Sequence, residues 1–289
     1  MDQVRYEAPN SLDAAVGLLS GAEGMAKIFA GGTDVMVQIH SDLIEPDLIV
    51  NVKNIPELTG ITQSNGSFTV GAATPVVEMQ EHEEFCKTWP GVIEGAELIG
   101  SVQVKGRSTI VGNLCNASPA ADSVPPCIAA GATVRIVGPN GERQAAVEDI
   151  VLGPRKTSLG KGEIIVSTTF PSRPPHSGDC YLRLTPRTEM DIAIVGAGVN
   201  LTLDDAGTCI AARVSLGAVA PRFLLVKECA DALIGSKVDD EALAAMAKAA
   251  SAAADPISDK RGTKEYRIKT AAVMARRAAE KALERAREN

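Results

Sequence analysis

Aromatic side chains are scarce in this 289-residue chain, at 3% of its residues, which leaves little to line an organic-substrate pocket of its own. There is no CxxC pair; the six cysteines (Cys86, Cys115, Cys127, Cys180, Cys209, Cys229) are scattered, the pattern of reduced thiols in a cytosolic protein rather than of metal ligands. Positive charge is in deficit: the net charge is −7, which argues against a nucleic-acid or anionic-membrane binder, because both need an electropositive footprint. No run approaches the ~20 uncharged apolar residues of a membrane span, and the opening MDQVRYEAPN has no apolar signal core. A cytoplasmic protein is expected. The GK[ST] sequence of a P-loop is also missing.

What is present is enough apolar residue, 45%, for two or three packed units. The first stretch reads strand, helix, strand: SLDAAVGLLS (11–20) capped by Ser11 or Asn10, AKIFAGG as a buried strand, DVMVQIHSDL as a helix, and DLIVNV (47–52) as a strand. Such a βαβ-type unit favours parallel pairing. Two hairpins follow, turning at Ser64-Asn65-Gly66 and Pro139-Asn140-Gly141. TPVVEMQEHEEF reads as a helix with Thr74 as cap and Pro75 at its first position. Residues 100–126 are rich in small residues alternating with apolar ones, so they should be packed rather than free. SRPPHSG (172–178) is the best linker. Beyond it lie strands and two Ala-rich helices with charged outer faces, VDDEALAAMAKAASAAADP and AAVMARRAAEKALERAREN. His82 and His176 read as solvated.

The motif IVGAGVNLTL (194–203) imitates a dinucleotide fingerprint, but Leu201 replaces the third glycine and a strand, not a helix, follows. Its glycines should instead relieve close packing within a sheet.

Two other glycine-rich loops carry the chemical signal. The first is Ala30-Gly31-Gly32-Thr33-Asp34, after Phe29; the second is Thr109-Ile110-Val111-Gly112-Asn113, running into LCNASPAAD. Successive backbone N–H groups in such turns make a concave donor array for phosphate oxygens. Glycine keeps β-carbons out of the way and permits φ > 0. The hydroxyls of Thr33, Thr109 and Ser118 can add donors. Neither loop contains lysine or arginine, so main-chain dipoles would meet the charge. A diphosphate in the middle of a long ligand suits two facing loops. The plain alternative is a pair of tight turns. In YLRLTPRTEMDIA (181–193), Arg183 could place positive charge beside a cofactor's electron-accepting end; the plain alternative is an edge strand with solvated charges.

AGGTD, STIVGNLCNASPAADSVPP, YLRLTPRTEMDIAIVGAGV and PISDKRGTKEYRIKTAAVMARRA, in this order, resemble the FAD-binding (medium) subunit of the molybdenum hydroxylases, the family of xanthine dehydrogenase-like enzymes and aerobic carbon monoxide dehydrogenase. The resemblance covers the whole chain. It implies an α+β fold: a vanillyl-oxidase-type FAD-binding domain of two α+β subdomains, 1–54 and 55–172, and a smaller α+β C-terminal domain, 178–289. It implies that Phe29, Ala30, Gly31, Gly32, Thr33 and Asp34 form one pyrophosphate loop and that Thr109, Ile110, Gly112 and Asn113 form the other. Ile99, Gly100, Ser118 and Asp122 would add cofactor contacts. Ile165 would touch the flavin ring through its backbone, Arg183 would lie near the ring, and Ile192 would pack on it. Val111 stands where relatives have glycine, so its side chain must turn away from the phosphates. AGGTD and Ile192, where the carbon monoxide enzymes have AGGHS and tyrosine, make the chain look less like those enzymes. No insertion for an extra iron–sulfur cluster is visible. With no histidine beside the first loop, FAD should be non-covalent.

The function implied is electron transfer from the [2Fe–2S] clusters of a small partner subunit, through FAD here, to an external acceptor. A large partner would hold the molybdenum cofactor, the whole forming a dimer of heterotrimers, with no activity on the organic substrate without partners. No catalytic acid, base or metal ligand is assigned to this chain. The competing functions are a stand-alone flavin dehydrogenase or oxidase of the same fold, and a cofactor-free scaffold.

Overall fold

The computed structural model describes residues 4–289. Strands Arg5–Glu7, Leu48–Asn51 and Ala26–Phe29 lie side by side in that order, all parallel. Helices Leu12–Gly21 and Val35–His40 supply the crossovers that parallel strands require. Ser11 is the cap: its hydroxyl accepts from Ala14 N at 3.3 Å. Ala15, Val16 and Leu19 face the sheet from that helix.

The second unit is a five-stranded antiparallel sheet, ordered Ile61–Ser64, Ser67–Gly71, Ile164–Phe170, Thr133–Gly138, Gly141–Ala146. Asn65 and Gly66 both have positive φ, 50° and 78°, the geometry that matches a two-residue turn to strand twist. The helix expected over TPVVEMQEHEEF differs in two ways. Pro75, not Thr74, is the N-cap, and Thr74 is buried with its hydroxyl donating to Gly60 O. The helix also breaks into Val76–Glu81 and Glu83–Thr88 at His82, whose Nδ1 accepts from Phe85 N at 3.2 Å. His82 is therefore a cap with its ring edge-on to Phe68, not a solvated side chain. The scarce aromatics are spent in this core: Phe68, Phe85, Phe170 and Trp89 pack edge-to-face or tilted, with centroids 5.1–6.1 Å apart.

The expectation that residues 100–126 are packed holds only from Ser108 on, through helix Ile110–Asn116 and the start of Val124–Ala129; the short helix Val102–Lys105 has no buried residue, and Val102 is 69% exposed. The third unit is the antiparallel sheet Ser177–Leu184, Val195–Leu203, Cys209–Gly217, Leu224–Leu225. Helix Lys264–Glu288 lies against it on a stripe of buried alanines. The fit is backbone to backbone, since a β-carbon on Gly178 would lie 1.9 Å from Ala282 O.

Segment 172–178 joins the second and third units, with Ser172, Pro174 and Pro175 exposed, but it is anchored at both ends. Arg173 is buried, pairs with buried Asp179 at 2.9 Å, and lies over the Trp89 ring at 4.8 Å; Ser177 already begins a strand. The GAG motif sits in a central strand with no helix after it, as expected. Its glycines do more than ease packing within the sheet. A β-carbon on Gly198 would lie 2.7 Å from Pro125 O, so the space is taken by helix Val124–Ala129 of the neighbouring unit.

Candidate cofactor site

A cleft of about 400 Å³ opens between the first two units. Its floor is where the glycine-rich loops meet. The first loop leaves strand Ala26–Phe29 and starts helix Val35–His40; the second starts helix Ile110–Asn116. Gly32 has φ +72°, a conformation a side chain would strain. Gly31 abuts the other loop directly, with the Arg107 carbonyl 2.1 Å from where its β-carbon would be. Gln38 Nε2 donates to Asn116 Oδ1 at 2.9 Å, tying the two short helices together.

Among the described residues the amides of Gly32, Thr33 and Asp34 donate to no protein acceptor. In the second loop the Thr109 hydroxyl accepts from Gly112 N at 2.8 Å, as helix cap. Ser123 Oγ donates to Asn113 Oδ1 at 2.8 Å, which leaves the Asn113 amino group for the cleft. Free amides before one helix and a free Asn113 amino group in the adjoining one, with glycines where side chains would intrude, fit an anionic diphosphate. Positive charge is also present, contrary to an all-dipole site: Lys27 and Lys161 line the cleft. Lys53 Nζ donates to Ala30 O at 3.0 Å from beneath the first loop. Burial, then the nearby Arg107 charge, holds the Lys53 ammonium pKa below its usual range.

Of the residues singled out in the sequence, the cleft gathers Ala30, Gly31, Gly32, Thr33, Asp34, Ile99, Thr109, Gly112, Asn113 and Ile165. Val111, expected to turn aside, is buried but still contributes to the lining. Phe29, Gly100, Ile110, Ser118, Asp122, Arg183 and Ile192 do not line it. Phe29 supports from below: a β-carbon on Gly32 would meet its ring at 2.3 Å. Ile110 is core, and Ser118 Oγ accepts from Ala120 N at 3.4 Å.

Arg183 is not a solvated edge charge. Its Nη1 donates to Asp122 Oδ2 at 2.8 Å, and both side chains are buried. Tyr181 OH donates to the other oxygen, Oδ1, at 2.7 Å. Burial pushes the Asp122 carboxyl up, while the Arg183 charge and the hydrogen bonds from Tyr181 and Arg183 oppose it. Arg183 also reaches Leu98 O at 3.4 Å and Asp191 O at 3.3 Å, so this cluster stands at the Ile99 end of the cleft. Ile192 is 51% exposed beside it. Lys27, Gln38, Asn116 and Lys161 escaped the sequence reading. Gln38 and Asn116 had a signal: Gln38 follows Asp34 by four residues and Asn116 follows Asn113 by three, the spacings that share a helix face.

Residues 2–173 match the family "FAD binding domain in molybdopterin dehydrogenase", and residues 181–282 match "CO dehydrogenase flavoprotein C-terminal domain". The chain belongs to this flavoprotein family. Its FAD-binding domain is thereby established, and the cleft's donors fit the cofactor. The carbon monoxide dehydrogenase medium chain of Afipia carboxidovorans is 32% identical over 282 residues, covering 98% of this chain and 97% of that one. A putative xanthine dehydrogenase FAD-binding subunit of Escherichia coli is 30% identical, covering 92% and 91%. In structure, the flavoprotein is similar to a chain of reconstituted CO dehydrogenase from Oligotropha carboxidovorans, with TM-score 0.93, 32% identity and 98% of both chains covered. A chain of quinoline 2-oxidoreductase from Pseudomonas putida 86 gives TM-score 0.90 at 28% identity. Identities of 32% and 30% do not set this flavoprotein apart from the carbon monoxide enzymes, as AGGTD and Ile192 had suggested. No helix among the described residues is long and apolar enough to cross a membrane, and none of those residues form a His/Cys/Asp/Glu cluster that could hold a metal.

Proposed function

We propose that this chain is the FAD-carrying electron-transfer subunit of a heteromeric molybdenum hydroxylase or dehydrogenase. One observation carries the reading: two glycine loops from separate units abut at Gly31 and Arg107, with the free amides of Gly32–Asp34 and the Asn113 amino group on two helices bridged by Gln38 and Asn116. Bound FAD supplies exchange between two-electron and one-electron chemistry. The residues of this chain bind and orient it non-covalently. The amides of Gly32–Asp34 and the amino group of Asn113 take the diphosphate, and Lys27 and Lys161 add charge at the lining. Ile165 touches the ring system, and Arg183 and Ile192 flank the Ile99 end.

Electrons would come from [2Fe–2S] clusters of a small partner and leave to an external acceptor, the molybdenum cofactor residing on a large partner, in a cytoplasmic dimer of heterotrimers. Relatives bearing the words "subunit" and "medium chain" support the partnership. The test is an absorption spectrum and flavin assay of the purified protein, followed by addition of small organic substrates. Near one FAD per chain, unreduced by substrate until partners are added, is the expected result. A preparation that takes up no FAD sinks the cofactor reading. Flavin reduced by a small substrate with no partner present would sink the electron-transfer reading in favour of a stand-alone dehydrogenase or oxidase.

A further inference from the structure

The segment that follows the second glycine loop is gripped from the far side by the third unit. Ala218 N donates to Pro119 O at 2.7 Å. Tyr181 and Arg183 together occupy both oxygens of Asp122. Pro125 sits on two glycines from adjacent strands: β-carbons on Gly198 and Gly217 would meet its backbone oxygen and ring at 2.7 and 2.8 Å. Gly196, paired with Gly217 across the strands, leaves the room in which the Tyr181 hydroxyl sits, 2.4 Å from where a β-carbon would be. The dinucleotide-like motif is thus a seat for a neighbouring loop.

Held in this seat, the residue after Asp122 faces the cleft wall. Ser123 is 1% exposed and its hydroxyl meets Asn113 Oδ1. With its oxygen so engaged, Asn113, which lines the cleft, keeps its amino group free of a protein partner. We infer that Tyr181 and Ser123 are positioning residues for the cofactor: Tyr181 fixes Asp122, and through it the place of Ser123, which sets the donor face of Asn113. Neither touches the cleft itself. The relay rests on the FAD reading above.

The test is a double-mutant cycle on FAD affinity, measured by flavin fluorescence on the protein in whatever assembly it purifies, with melting temperature recorded on the same samples. Tyr181→Phe and Ser123→Ala each remove one hydroxyl and little volume. Each should weaken FAD about three- to tenfold, the worth of one hydrogen bond. Combined with Asn113→Ala, neither should weaken binding beyond Asn113→Ala alone. If the losses multiply, the hydroxyls act independently of Asn113 and the relay is wrong. A lowered melting temperature with unchanged FAD affinity overturns it equally, marking the hydroxyls as merely structural. If Tyr181→Phe does not fold, the Ser123 cycle decides. An unsubstituted protein that binds no FAD would instead defeat the cofactor reading, a result distinct from additive cycles in a protein that binds it.

Discussion

Gly31 and the carbonyl of Arg107 touch across 76 positions of sequence, with no space between them for a methyl group. The contact joins the two loops of the cofactor cleft. Gly31→Ala should force them apart and cost about 1–3 kcal/mol, the range for overpacked sites. Bound flavin should fall with it. Urea unfolding and flavin content per chain measure both, and an alanine variant with normal values for each would show that the loops tolerate separation.

The Asp122–Arg183 pair offers a sharper contrast. Their side chains are only 8% and 5% exposed, so removing one partner strands a buried charge. Arg183→Met should destabilise by about 3–5 kcal/mol, whereas Arg183→Met combined with Asp122→Asn should recover much of that loss. Denaturation midpoints test this. Equal damage from single and double variants would mean that charge pairing is not what holds the cluster.

Thr109 caps helix Ile110–Asn116 through Gly112 N. Thr109→Ala should cost about 1 kcal/mol, and Thr109→Ser, which keeps the acceptor, should cost far less. The comparison is made without cofactor, so that loss of a ligand contact does not enter. Equal losses from the two variants would place the effect in the methyl group.

Glu163 lines the cleft rim and receives two bonds from Arg143, at 2.7 Å each; these hold its carboxyl down to about 2, from an ordinary 4.5. A depressed folded-state value means that the stabilisation is full above pH 4.5 and fades as pH falls toward 2. Because Arg143 is partly exposed, solvent screening limits the effect to about 1 kcal/mol. The stability difference between the unsubstituted protein and Glu163→Gln should therefore shrink between those pH values. A difference that stays constant down to pH 2 would refute the assignment.

The glycine loops were legible because each needs a run of residues that few other structures use: Gly31 and Gly32 directly after an apolar strand, Gly112 within a hydroxyl-flanked turn. The parallel unit and both hairpins were legible from alternation and turn residues. Asp122, Arg183 and Tyr181 were harder. Their meeting joins positions about sixty residues apart, and no local periodicity encodes it. The anchoring of Arg173 inside the proline-rich linker was not legible either, because a sequence does not reveal that Asp179 and the Trp89 ring wait for it. His82 misled for a similar reason: its role as a cap depends on where the preceding helix breaks.

Helix Lys264–Glu288 reaches back to Glu94 through Arg285, a pairing of residues 191 positions apart, and the same guanidinium holds Asp179 O. During synthesis the half of the protein that makes the cleft emerges long before this helix does. The sheet that seats the second glycine loop has its other packing partner in this helix, through the buried alanines and Gly178, and is complete only once the helix has docked. Nascent chains should therefore stay colourless through most of translation, acquiring their yellow cofactor only after that late docking.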